Sequence, residues 1–181
     1  MNKGQTIIEV LIALAVCAFI VSAAMTAVTS SLNNAQYSKA QNIATHYAEE
    51  GMEYMRKLRN QDWNYYYSNN VLRFLGSEQW AVSCLGSSLT LEPLTSGTGV
   101  CSSTYADGNH MFIRTVRGEK ESSNCGGSLG VDVRKIIVTV AWSDSKCTSS
   151  SSDTPLGIPG FYCHRVQLSS CFSDKWRVPT P

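Results

Sequence analysis

The chain has 181 residues, with 15 basic and 14 acidic side chains and a formal net charge of +1. This length allows one globular domain plus an appendage, and the balanced charge excludes a strongly basic surface for nucleic acid or anionic lipid. Only 16% of the residues are charged, because the chain begins with an apolar run and later contains loops rich in Ser, Gly and Asn.

The apolar run covers residues 7–28 and has Glu9 as its only ionised side chain. A run of about 22 residues is long enough to cross a bilayer once. A carboxylate in lipid costs on the order of 2.5–3.5 kcal/mol at mid-bilayer and less near a helix end. A plain membrane anchor has no use for that charge, so Glu9 indicates a specific partner.

Two of three processing routes treat this region as a conventional export signal. A secretory signal would use residues 7–21 as its apolar region and the small residues 22–24 as a cleavage site near Ala24. Glu9 weakens this interpretation, since it lowers the hydrophobicity of the signal. Lipoprotein processing at Cys17 is also disfavoured, because the residue before it is not small.

The third route cuts between Gly4 and Gln5 and keeps the apolar run. From Lys3 to Glu9 the chain reads Lys-Gly-Gln-Thr-Ile-Ile-Glu, which resembles the leader of type IV prepilins and type II secretion pseudopilins. In that family a membrane peptidase cuts after the Gly and methylates the new terminus, and the fifth mature residue is Glu. The family more often has an aromatic residue or Met where this chain has Gln5, and an unmodified Gln at this position can cyclise instead.

The resemblance implies a leader at residues 1–4, cleavage between Gly4 and Gln5, methylation of Gln5 and an assembly role for Glu9, which would set register against a neighbouring N-terminus. It implies a structural subunit that crosses the inner membrane once, with its head outside, before it joins an extracellular filament. The implied partners are other pilins or pseudopilins, the prepilin peptidase, and the assembly platform with its ATPase. Residues 48–53 also resemble the helix end of minor pilins of the PilV type. A type II secretion pseudopilin remains the alternative within the same class.

No proline occurs before Pro93, so we expect one helix from about Gln5 to about Asn60, roughly 80 Å long. A domain of this size cannot contain it. Residues 5–28 are therefore expected to protrude as a transmembrane or filament-core helix, and residues 29–60 to form an amphipathic half. The residues of its apolar face, spaced by three and four, are Ala40, Ala44, Tyr47, Ala48, Gly51, Tyr54, Met55 and Leu58.

The remaining residues, 61–181, are expected to form an α+β head. Strand patterns occur at residues 79–84, 110–116, 134–142 and 162–168. The third is the strongest, because Ile136, Val138, Val140 and Trp142 share one face. We predict an antiparallel sheet of three or four strands, in meander order, laid on the long helix.

Six cysteines lie in the predicted head, and a seventh, Cys17, lies in the apolar run, where it serves as a small hydrophobic residue. The six are Cys84, Cys101, Cys125, Cys147, Cys163 and Cys171. An even number spread through long loops predicts an oxidising compartment and up to three disulfides, for which 15 pairings exist. Proximity in sequence favours Cys84–Cys101 and Cys147–Cys163, which leaves Cys125–Cys171.

No catalytic constellation is apparent. His46, His110 and His164 stand in unrelated contexts, and Asp144 and Asp153 share a polar loop without the spacing of calcium ligands. We therefore expect no enzyme activity, no cofactor and no metal. The main alternative to a filament subunit is a secreted binding module or adhesin, and an anchored enzyme is disfavoured.

Overall fold

A computed structural model describes residues 3–61, 80–86, 89–93, 101, 105–107, 110–120, 125, 133–144, 147 and 158–173. In chain order the elements are α1 Lys3–Gln61, β1 Trp80–Leu85, β2 Leu91–Pro93, β3 Tyr105–Asp107, β4 His110–Lys120, β5 Val133–Trp142 and β6 His164–Ser173. The chain divides into two compact units, Met1–Lys39 and Ala40–Pro181. The long helix predicted from the absence of proline is confirmed.

The second unit contains an antiparallel sheet with the strand order β2-β1-β4-β5-β6. The third strand, β3, pairs with the first residues of β4, and β1 pairs with later ones, so both lie along the same edge of β4. The four longer strands, β1, β4, β5 and β6, are neighbours in chain order. The predicted α+β fold with a meander sheet is therefore confirmed.

The register of β5 explains how the sheet builds its core. Val138 lies opposite Val116 on β4 and Leu168 on β6, while Trp142 lies opposite Phe112 and His164. Since side chains alternate between the faces of a strand, this register collects the apolar positions of three strands on one face.

The strands extend beyond the sequence patterns at several points. β4 continues to Lys120 and β6 to Ser173, and residues 105–107, expected in a loop, form β3. The extension of β4 includes Gly118, Glu119 and Lys120, which have weak strand propensity, but each pairs with a residue of β5. Ladder hydrogen bonds from neighbouring strands outweigh local preference here.

The main core lies between the sheet and residues 40–61 of α1. The helix contributes small and flexible apolar side chains, and the sheet contributes larger branched and aromatic ones. The buried helix residues are Ala40, Ala44, Ala48, Met52 and Met55, and their partners on the sheet include Phe112, Val116, Ile136, Val138, Val140, Trp142 and Phe172. The alanines recur every fourth residue, so they form one stripe along the helix.

A second, smaller core covers part of the opposite face of the sheet. It consists of Cys84, Cys101, Ile113, Ala141, Ile158 and Tyr162. Ile113 and Ala141 are directly opposed on β4 and β5. The Cys84–Cys101 disulfide and the segment around Ile158 therefore bury a face that a single helix cannot reach.

Candidate functional site

The first unit presents an apolar helical surface. The large apolar side chains between Ile7 and Val28 are 50–77% exposed within the chain. Contiguous apolar surface on this scale marks a membrane or protein interface. By length and composition, α1 also includes the one candidate membrane-spanning segment found among the described residues.

Glu9 lies on this apolar surface and is exposed. The backbone of Gly4 and Gln5 is already helical, since α1 begins at Lys3. Gln5 and Glu9 are four residues apart in sequence, so their backbones are about one helical turn from each other.

The hydroxyl groups in the apolar run bond to their own helix. Ser22 donates to the carbonyl oxygen of Ala18, and Thr26 donates to that of Ala23 at 2.8 Å. Such bonds to the preceding turn satisfy a hydroxyl without water. The polar side chains at these positions are thus compatible with an apolar environment, where an unsatisfied polar group is costly.

Comparison with known proteins agrees with this geometry. Residues 1–25 match the family model described as the prokaryotic N-terminal methylation motif. The chain therefore carries the leader of type IV prepilins, followed by a long apolar helix of the kind that pilins have. No curated protein and no solved structure matches the chain.

A partly buried ion pair joins the helix to the sheet in the second unit. The Arg114 side chain on β4 is fully buried, and its guanidinium lies 2.9 Å from the carboxylate of Glu50, which is 41% exposed. The same guanidinium donates to the carbonyl oxygens of Tyr47, at 2.8 Å, and Gly86, at 3.2 Å. One cation thus connects α1, β4 and the turn that follows β1.

Gly51 creates the space for this arrangement. A Cβ atom added there would lie 3.0 Å from Val138 Cγ1, 3.1 Å from Arg114 Cδ and 3.3 Å from Leu85 Cδ2. The glycine therefore sets how closely the helix approaches the sheet. The cost of a glycine in a helix, about 1 kcal/mol, is offset by that close packing.

An open cleft of about 890 Å³ lies beside the last turns of α1 and includes Leu89. Leu89 has a positive φ of 55° and packs on the main core. Both carboxylates that line the cleft are in ion pairs, Glu50 with Arg114 and Glu53 with Arg56 at 3.1 Å. The cleft therefore offers no free acid–base pair from its described residues.

The head contains three disulfides, and the predicted closure of its loops by disulfides is confirmed. The pairs are Cys84–Cys101, Cys125–Cys171 and Cys147–Cys163. They close loops with sequence separations of 17, 46 and 16 residues respectively. Cys17 is free and exposed. In the chain-entropy account, closing a loop of about 15 residues contributes about 3 kcal/mol.

One polar contact in the head was not predicted from the sequence. His164 Nε2 lies 3.0 Å from Asp144 Oδ2, although 20 residues separate them in the chain. The pairing of Trp142 with His164 brings the end of β5 to the start of β6, and the Cys147–Cys163 disulfide links the same two segments. Asp153, the other aspartate of the same predicted loop, lies outside the described residues.

The predicted site residues thus fall in separate parts of the chain. Gly4, Gln5 and Glu9 belong to the first unit, and the six paired cysteines belong to the second. The Arg114–Glu50 pair was not predicted. Arg114 shares a strand face with the apolar residues Phe112 and Val116, each two residues away, and this was the available signal for it.

Proposed function

We propose that this protein is a structural subunit, a minor pilin or pseudopilin, of a type IV pilus-like filament. The N-terminal methylation motif over residues 1–25 carries the proposal. The peptidase cuts between Gly4 and Gln5 and methylates Gln5. The mature chain is held in the inner membrane by its apolar helix, with the head outside, until it enters the filament.

The exposed apolar surface between Ile7 and Val28 supports a role in which the helix passes from the membrane into a filament and keeps its fold. In the membrane these side chains contact lipid, and in a filament they contact the same segment of other subunits. Both environments are apolar, so the helix moves between them without exposing this surface to water.

Glu9 supplies the polar element of assembly. An amine of a neighbouring subunit at ~4 Å, in an effective dielectric near 20, attracts it by about 4 kcal/mol before desolvation. Desolvation removes much of that energy. The pair therefore fixes the axial register of subunits more than it stabilises the filament. The partners are other pilins, the prepilin peptidase, and the assembly platform with its ATPase.

Mass spectrometry of the protein purified from its membrane tests the proposal. We expect a mature chain that begins at Gln5, with a methylated or cyclised terminus, and that gains the mass of six hydrogens on full reduction of its three disulfides. A chain that begins near Met25 would instead support the secreted binding module, because the apolar helix would then have been removed.

A variant at the cleavage site tests the removal of the leader separately from the rest of the proposal. Gly4→Ala should leave the leader attached, since the added methyl group stands at the cleavage site, while membrane insertion stays normal. Ala24→Leu is the matched control, because it blocks a small-residue signal cleavage site and leaves the leader untouched. Normal removal of residues 1–4 in Gly4→Ala would contradict the assignment of the cleavage site.

A further inference from the structure

Four side chains with metal-binding atoms meet where β5 ends and β6 begins. They are Asp144, Cys147, Cys163 and His164, and one ligand atom from each lies within 4.8 Å of all the others. Cys147 and Cys163 form a disulfide in the structure. The chemistry available to the group therefore depends on the redox state of that pair.

We propose that, when the Cys147–Cys163 disulfide is reduced, these four side chains bind one zinc ion. Two thiolates, one imidazole and one carboxylate form a four-ligand set of the atom types that zinc prefers, and zinc accepts them in tetrahedral geometry. The sequence indicated no such site, because the four residues match no metal-binding motif. The β5–β6 pairing brings them together.

The geometry of the nitrogen and oxygen ligands is already close to that of a zinc site. Bonds of about 2.0–2.2 Å from zinc to nitrogen and oxygen place two such ligands about 3.4 Å apart at a tetrahedral centre. His164 Nε2 and Asp144 Oδ2 are 3.0 Å apart. These two atoms need to move only slightly farther apart to bind the ion.

Neighbouring groups hold the ligands in place. The His164 ring stacks on the Trp142 ring, with centroids 5.4 Å apart, and Trp142 is buried. The backbone N–H of Asp144 donates to the sulfur of Cys147 at 3.3 Å, and hydrogen bonds of this kind orient and support metal ligands. Cys163 is exposed, which gives an ion a route to the group.

Zinc and the disulfide exclude each other. A disulfide holds its sulfurs about 2.05 Å apart, whereas two zinc-bound thiolates are about 3.8 Å apart at a tetrahedral centre. A dithiol reductant transfers two electrons and two protons to the sulfurs and is itself oxidised to a disulfide. Zinc then displaces the two thiol protons. Bound zinc should therefore delay closure of this disulfide in a chain that has not yet been oxidised.

Zinc titration of the full chain in detergent, reduced with a water-soluble phosphine, tests the site. The variant Cys147→Ser/Cys163→Ser should bind one zinc ion fewer than the unmodified chain, and the control Cys84→Ser/Cys101→Ser should not. His164→Ala should weaken binding by more than the roughly 10- to 100-fold cost of losing an outer-shell partner. Equal zinc binding by the unmodified chain and the first variant would overturn the proposal.

A second arm needs no reductant, so the other two disulfides stay closed. Cys147→Ser, kept free of oxygen, leaves Cys163, His164 and Asp144 as three ligands. It should bind zinc more tightly than Cys147→Ser/Cys163→Ser, and with Co²⁺ it should show thiolate charge-transfer absorption. If the single and double variants bind zinc equally weakly, the four side chains do not form a metal site.

Discussion

Arg114 is a residue whose burial and charge conflict. Its side chain is fully buried, and the Glu50 carboxylate is its counter-ion. Removing one partner of a buried pair leaves an uncompensated charge, which costs about 3–5 kcal/mol. The cost differs between the two partners here, because only Glu50 reaches solvent.

We predict that Glu50→Ala destabilises the head more than Arg114→Met does, although Glu50 is the more exposed residue. Glu50→Ala leaves the guanidinium buried without its counter-ion and should cost about 3 kcal/mol. Arg114→Met lets Glu50 turn to water and should cost about 1–2 kcal/mol. Urea unfolding measures both free energies of unfolding.

Glu53→Ala is the control for this comparison, because its partner Arg56 is half exposed and such surface pairs contribute about 0–1 kcal/mol. A smaller loss in Glu50→Ala than in Arg114→Met would show that the guanidinium is satisfied without the carboxylate.

Tyr162 gives a prediction about pH. Burial raises the pKa of Tyr162 above its usual 10.0, and its hydroxyl has no hydrogen-bond partner among the described residues. The folded chain therefore holds this proton more tightly than the unfolded chain. The associated stability is complete below pH 10.0 and is lost as the pH rises from there through the folded-state pKa.

Tyr162→Phe should lack this loss. At neutral pH it should be as stable as the unmodified chain, or more stable by up to about 1–3 kcal/mol, because an unsatisfied hydroxyl has been removed. The difference should increase above pH 10.0. Thermal unfolding with the Cys17 thiol alkylated measures it without disulfide exchange. A parallel pH profile for the two proteins would mean that Tyr162 ionises without cost.

At the scale of elements, the helix–sheet interface depends on contacts spread along residues 40–61 of α1. Near one end Tyr47 packs edge-on against Phe112, with centroids 5.6 Å apart. Near the other, the Arg59 guanidinium lies 5.2 Å from the centre of the Phe172 ring. Between them, Gly51 and the Arg114–Glu50 pair fix the approach, so the helix has one well-defined position on the sheet.

We predict that Gly51→Ala destabilises the head by about 1 kcal/mol. Its higher helix propensity should contribute about 1 kcal/mol of stability, but overpacking a filled core costs about 1–3 kcal/mol. The neighbours of the new methyl group, Val138, Arg114 and Leu85, are all buried and cannot easily move away.

A double-mutant cycle with Val138→Ala tests whether contact is the cause. The cost of Gly51→Ala should disappear, or become a gain, when the Val138 methyl groups are absent. Equal costs in both backgrounds would show that the contact with Val138 is not the cause.

At the scale of the whole molecule, the two units differ in whether their apolar side chains are exposed or buried within the chain. The first keeps its apolar side chains exposed within the chain. The second buries its own core and closes its loops with three disulfides. A chain built this way can anchor in a membrane or join an apolar bundle through the first unit, while the second unit buries a core of its own.

We predict that Glu9→Ala leaves membrane insertion and leader removal intact but reduces incorporation into filaments. An apolar side chain favours the bilayer at least as well as a carboxylate does, while the partner amine loses its counter-charge. Quantifying the subunit in sheared filaments and in the membrane fraction measures both effects. Glu49→Ala, an exposed carboxylate of the second unit, is the control. Unchanged incorporation of Glu9→Ala would remove its assembly role.

Much of the architecture followed from local sequence. The absence of proline before Pro93 predicted a continuous helix, and the alternation from Ile136 to Trp142 predicted a buried face of β5. Proximity in sequence also favoured two of the cysteine pairs that the structure contains, Cys84–Cys101 and Cys147–Cys163, and Cys125–Cys171 was the pair that remained. The strand extensions at Gly118 and Ser170 did not follow, because pairing with neighbouring strands creates them.

The sequence by itself determined the leader motif and the apolar helix, since both are contiguous and depend on residue type and spacing along one segment. Only the tertiary structure decided which distant groups meet. The sheet places Arg114 against Glu50 across 64 residues and His164 against Asp144 across 20. The first contact depends on the close approach of α1 to the sheet at Gly51, and the second depends on the register of β5 and β6. Neither partner could be predicted from local sequence, because the packing of elements that are distant in the chain brings them together.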